Sequence, residues 1–245
     1  MASGDERPVV ICIAGFGDNA EMFSSLLATP AANRVRFEPF DLPGFGAPAL
    51  PETSLDTLAK SVSDHCRALG ARIVVAHSVA SIVASLAAVR DRTEGMRNAI
   101  GRIVSLEGNL TPEDAYFSGT AADYDDPLAF REAFLSRLDQ MVAGGGVFAS
   151  ILAGYRKRVE TADSKALWDL GRDARAFGRK RVPGDLLKGS ADVTYLFNPD
   201  NCPPSSLDYL MQADLKAVEL RGASHWPTID RAEAVAELIA EAALA

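Results

Sequence analysis

Apolar positions along this chain fall into two kinds of run. Pro8 to Ala14, Val35 to Phe40, Ile73 to Val75, Ala99 to Leu106, Val193 to Phe197 and Leu215 to Leu220 are short and largely apolar. Their length and composition predict strands covered on both faces. Between them the apolar residues are spaced for helices. Ser54 caps a segment in which Leu55, Leu58, Val62, Cys66 and Leu69 follow the 3.6-residue period, and Gly70 stops it. Ala20 to Leu27 and Val79 to Val89 are also helix-compatible. At the tail, a capping box from Asp230 to Glu233 precedes an apolar face of Val235, Leu238 and Ile239. Strands alternating with helices predict an α/β fold with a mainly parallel sheet, whose ligands sit at the carboxyl ends of the strands.

From residue 111 to about 185 the alternation stops. Aromatic residues, from Tyr116 and Phe117 through Phe130, Phe134, Tyr155 and Trp168 to Phe177, mix with charges at helical spacing. A glycine break falls at Gly144-Gly145-Gly146, and no strand pattern is present. This stretch reads as a helical lid inserted into a core made of residues 1–110 and 186–245. Its aromatics are expected to serve the core more often than the substrate.

Composition narrows the function. A chain of 245 residues, 48% hydrophobic and 24% charged, suits one sizeable α/β domain with an insertion. The net charge of −8 argues against nucleic acid or an anionic membrane as a partner, since both attract basic surfaces. No run approaches the roughly 20 apolar residues of a membrane-spanning helix. Met1 to Arg7 is acidic and polar, so no signal peptide is expected. Cys12, Cys66 and Cys202 are odd in number and widely spaced, which fits a reducing cytoplasm. Neither they nor the histidines stand at metal-ligand spacing, and neither a metal nor another cofactor is expected. Gly15-Phe16-Gly17 after the first strand suggests a dinucleotide site, but the third glycine and the following acid of that fingerprint are missing.

The candidate chemistry lies at the strand ends. The run Ile73 to Val75 passes through Ala76-His77-Ser78-Val79-Ala80 into a helix. A serine on a strand–turn–helix junction, with small residues two before and two after it, has the pattern of a nucleophile elbow. The amide of Val79, at a helix N-terminus, is placed to stabilise an oxyanion. Other strands deliver Ala14 to Asn19, Glu107-Gly108-Asn109, Asn198 to Pro204 and Arg221 to Pro227, the last containing His225.

In chain order the nucleophile comes first, then an acid, then a histidine. This order, with Asp41-Leu42-Pro43-Gly44-Phe45-Gly46, His77-Ser78 and Gly222-Ala223-Ser224-His225, resembles the α/β-hydrolase superfamily. The match leaves out only the insertion, and the chain begins almost at the oxyanion strand, without the first strands of the full fold. Alanine stands at both elbow glycines (Ala76, Ala80) and at the histidine usual before Gly15 (Ala14). The resemblance implies Ser78 as nucleophile, His225 as base, and the amides of Phe16 and Val79 as the oxyanion hole. For the acid, the superfamily's usual position falls on Asn201, with Asp200 one residue early. Some members instead carry it after the strand that follows the elbow helix, where Glu107 stands. Glu107 is the favoured acid and Asp200 the alternative. The implied activity is a serine hydrolase acting on a small to medium ester, thioester or lactone, with a small-molecule acyl compound as its partner. A carbon–carbon bond hydrolase or lyase on the same residues, and a non-catalytic ligand-binding member, stay open as alternatives.

Overall fold

The computed structural model describes residues 6–245, so most of the leader reading at Met1 to Arg7 lies outside the described residues. Six parallel strands form the central sheet: β1 (Val9–Ile13), β2 (Arg36–Phe40), β3 (Ile73–His77), β4 (Arg102–Leu106), β5 (Asp192–Phe197) and β6 (Lys216–Glu219). Their spatial order is β2-β1-β3-β4-β5-β6. The chain steps from β1 to one side for β2 and to the other for β3, which opens a crevice at the carboxyl ends of β1 and β3. The most buried runs become the interior strands, and β6 is an exposed edge.

Register carries this arrangement into the loops. Ile13 lies beside Ala76, and His77 beside Leu106. Backbone bonds continue past the strand ends, with the Ser78 amide donating to Leu106 O and the Glu107 amide to Leu196 O, each at 2.9 Å. The residues that follow β3 and β4 therefore emerge side by side.

Helix α1 (Leu55–Leu69) starts at the expected Ser54 cap and ends at Gly70 in the left-handed conformation, as its pattern requires. Helix α2 (Ala80–Thr93) is buried along most of its surface, which its many alanines and serines allow. Ala20 to Leu27 is a 3₁₀ turn followed by a single α-helical turn rather than one helix.

Between β4 and β5 the chain is helical. Two 3₁₀ turns (Pro112–Tyr116 and Ser118–Asp123) lead into α3 (Pro127–Ala143), α4 (Ala149–Thr161), α5 (Ser164–Gly178) and α6 (Pro183–Ser190). Helical structure thus runs past residue 185 to Ser190, because Pro183 starts a further helix at its first position. Helices α4 and α5 dock on the core. The Tyr155 hydroxyl donates to Phe16 O (2.7 Å), the Asp163 amide to Gly44 O (2.9 Å), and the Leu55 amide to Asp173 Oδ2 (2.8 Å). Gly44 is needed there, since a Cβ would lie 2.3 Å from that of Ala166.

After β5 comes α7 (Pro204–Gln212), and after β6 the tail helix α8 (Ala232–Leu244). The expected capping box is not formed. Asp230 instead spends its carboxylate on Ser224, and α8 begins without a side-chain cap. Among the described residues no helix is long and apolar enough to cross a membrane, and no cluster of His, Cys, Asp and Glu is arranged to hold a metal ion.

Candidate active site

Ser78 follows β3 with φ of 54°, in the left-handed region that an L-residue adopts only at a cost of about 1–3 kcal/mol. Ala76 and Ala80 flank it and are fully buried, so small side chains are required on both sides of the turn. The loop after β1 presses on the elbow at Gly15. A Cβ there would fall 2.9 Å from His77 Nδ1, from His77 O and from Ser78 Cβ. Neither the Phe16 nor the Val79 amide donates a hydrogen bond within the described residues. Two free amides beside the serine are what an oxyanion requires.

Glu107 is the other non-glycine residue with positive φ among those described, at 50°. Strained backbone at two neighbouring strand ends, on a serine and a glutamate, marks a site. Two contacts hold this loop against the elbow helix. A Cβ on Gly108 would fall 2.8 Å from Ser81 Cβ, and the Asn109 amide donates to Ser81 Oγ (3.1 Å). Glu107 itself is only 6% exposed. Its Oε1 accepts the Asn198 amide (2.7 Å) and the Asn201 side chain (3.2 Å), and its Oε2 lies 3.7 Å from His225 Nδ1. That last separation exceeds a hydrogen bond, yet Nδ1 is buried without any other partner.

Asp200 is not part of this cluster. It is exposed, its carboxylate makes no hydrogen bond or ion pair among the described residues, and it borders an outer groove. Asn201, at the superfamily's usual acid position, serves as a donor to Glu107.

The loop bearing His225 is held by residues whose role the sequence did not reveal. Asp230 accepts the Ser224 amide (2.8 Å) and hydroxyl (2.9 Å), and Ser224 Oγ in turn accepts the Trp226 amide (3.0 Å). Buried His77 Nε2 lies 2.7 Å from His225 O, which assigns its proton to Nε2 as donor. Burial, and then repulsion from His225, push the His77 pKa well below its ordinary value, so the ring is neutral. Asp18, 1% exposed, pairs with Arg158 of α4 and accepts the Trp226 indole N–H at 3.0 Å. The loop after β1, the loop bearing His225 and α4 are thereby tied at one carboxylate. The signals for His77 and Asp230 were present, as the H-S pair and the supposed cap. Nothing local marked Asp18.

Two cavities meet here. The inner one, about 30 Å³, is bordered by Ser78, Glu107 and His225 and is otherwise mostly polar. The outer groove, about 650 Å³, is walled by Phe117, Met141, Val147, Phe148, Leu152 and Trp226. His225, Asn201, Tyr116 and Phe117 border both. Of the aromatics between β4 and β5, Phe130, Phe134 and Tyr155 are core and Trp168 is half-buried, donating to Tyr124 O (2.9 Å).

A parallel sheet with a strained serine, a histidine and a buried acid beyond the carboxyl ends of its strands defines a class of protein, and the sequence agrees. Residues 10–238 match the alpha/beta hydrolase family, and the chain belongs to it. Its fold is similar to that of a thermophilic esterase from Thermogutta terrifontis, at 17% identity and a TM-score of 0.71, over 96% of this chain and 88% of that one. It is also similar to the enol-lactonase from Burkholderia xenovorans LB400 (19% identity, TM-score 0.70, 98% and 92% covered). A third likeness is to 1H-3-hydroxy-4-oxoquinoline 2,4-dioxygenase (18% identity, TM-score 0.73, 96% and 92% covered). At these identities the likeness is one of fold. No curated protein sequence matches the chain.

Proposed function

We propose that the protein is a serine hydrolase that cleaves small to medium esters, thioesters or lactones through an acyl-enzyme on Ser78. The observation that carries this reading is the convergence of Ser78, His225 and Glu107 on one cavity, with Ser78 and Glu107 both held at positive φ. His225 Nε2 takes the Ser78 proton as Oγ bonds to the acyl carbon. The carbonyl oxygen becomes an oxyanion held by the Phe16 and Val79 amides. The bond to the leaving group then breaks, and His225 returns the proton to that group. A water, deprotonated by the same ring, releases the acid and restores Ser78. Glu107 accepts from Nδ1 and balances the imidazolium, which requires the 3.7 Å separation to close in the substrate complex. Residues 112–190 serve as the lid, with the outer groove receiving the apolar part of the substrate. The acidic charge and unpaired cysteines support a small-molecule substrate in the cytoplasm.

The test is covalent. A fluorophosphonate should label the protein once, on Ser78, and Ser78→Ala should abolish labelling and lower ester turnover by about a million-fold. Labelling elsewhere, or none on folded protein, removes the hydrolase reading. Carbon–carbon bond cleavage, with His225 and Ser78 handling protons, is the second reading, and proteins of similar fold include one that cleaves the ring of the Pseudomonas quinolone signal. It would be the better reading if turnover proceeds with no acyl-enzyme detectable by mass spectrometry.

A further inference from the structure

The inner cavity is more polar than the outer groove, and capping alone does not account for one of its side chains. Asp114 borders that cavity with Ser78 and His225. Its Oδ2 accepts three hydrogen bonds, from the Leu110 amide (2.7 Å), the Thr111 amide (2.8 Å) and the Ser206 hydroxyl (2.7 Å). These satisfy the start of the Pro112–Tyr116 turn, as an acid at that position commonly does. Its Oδ1 receives no hydrogen bond among the described residues and is not sealed from solvent. The carboxyl is largely buried, and burial raises its pKa against the pull of those donors and of His225. An acceptor in such a place gains from any donor a ligand brings.

We propose that Asp114 Oδ1 accepts a hydrogen bond from a hydroxyl on the acyl part of the substrate, so that the enzyme selects compact hydroxyacyl esters over plain acyl esters. Size points the same way. Ser78 borders the inner cavity and not the outer groove, so the acyl group enters a space of about 30 Å³, enough for a few atoms. The apolar leaving group then lies in the larger groove. The assignment rests on the hydrolase reading.

The experiment compares 4-nitrophenyl hydroxyacetate with 4-nitrophenyl acetate, each rate divided by its spontaneous hydrolysis. The native protein should prefer the hydroxyacetate by about 10- to 100-fold in kcat/KM, the range of a hydrogen bond to a charged group. In Asp114→Asn, the amide oxygen can keep the three donors while an uncharged N–H group, able only to donate to the hydroxyl oxygen, replaces Oδ1, and the preference should fall by about an order of magnitude. Because the readout is a ratio, loss common to both esters cancels. A purely capping role would move the melting temperature and leave the ratio alone. If the native protein shows no preference, a result that needs no variant, or if the preference survives undiminished in Asp114→Asn, the inference is overturned while the hydrolase reading stands. If neither ester turns over and Ser78 takes no fluorophosphonate label, the hydrolase reading falls and takes this inference with it.

Discussion

Glu107 shows how one side chain's partners fix what a substitution does. Its Oε1 is held by the Asn198 amide and the Asn201 side chain, both donors, so only Oε2 faces His225. In Glu107→Gln the amide oxygen must stay with those donors, which turns the NH2 group toward Nδ1. A donor there favours the tautomer with its proton on Nε2, where Ser78 needs a base. Turnover of an aryl ester should fall by about three to four orders of magnitude, with little change in melting temperature. Asp200→Asn should stay within about twofold in turnover, because that carboxylate has no partner to lose. A severe Asp200→Asn beside a near-native Glu107→Gln would reverse the assignment. The sequence offered both acids at strand ends. It favoured Glu107 by position alone, because burial and orientation of a carboxylate by donors from another strand are not written in a linear pattern.

The α4 helix is joined to the core by a buried pair. Arg158 reaches Asp18, which also holds Trp226 beside His225, and Tyr155 from the same helix donates to Phe16 O. Removing the cation while leaving the buried carboxylate is the costly change. Arg158→Met should lower stability by about 3–5 kcal/mol. For a chain of this size that is a fall in melting temperature of roughly 6–20 °C. Adding Asp18→Asn to Arg158→Met should recover part of the loss, since no uncompensated charge remains. If the double variant is less stable than Arg158→Met alone, the ion pair is not what fastens the helix. Helical spacing marked the stretch that contains α4 and its Tyr155. It gave no hint that Arg158 meets a residue 140 positions earlier.

Stability of the whole fold should carry the signature of a buried neutral histidine. His77 has a folded pKa well below its ordinary 6.5, chiefly through burial. Below pH 6.5 the unfolded chain therefore binds a proton that the folded chain refuses. The stabilisation is complete above 6.5 and is lost as pH falls from there toward the folded pKa, at up to about 1.4 kcal/mol per pH unit. His65 is also lowered by burial and adds to the slope in every variant that retains it. Denaturation midpoints of native and His77→Gln protein between pH 7 and 5 should converge as pH falls, since glutamine keeps an N–H for His225 O but does not titrate. Parallel curves would mean that folding leaves the His77 pKa where it stands in the unfolded chain.

The linear sequence by itself determined the strands, most of the helices, the elbow and the order of nucleophile and base. These depend on contiguous residues: a run of β-branched side chains, a 3.6-residue period, small residues two positions either side of Ser78. What the tertiary structure decided is which groups meet. The strand order β2-β1-β3-β4-β5-β6 sets the ends of β1, β3 and β4 side by side. That adjacency brings Gly15 against Ser78 and Glu107 toward His225, and it leaves Asp200 outside. It also gave Asp230 to Ser224 rather than to the tail helix, and Asp18 to Arg158 and Trp226. Side-chain pairing is a property of distances in space, and a buried carboxylate takes whichever donors the folded chain brings within about 3 Å.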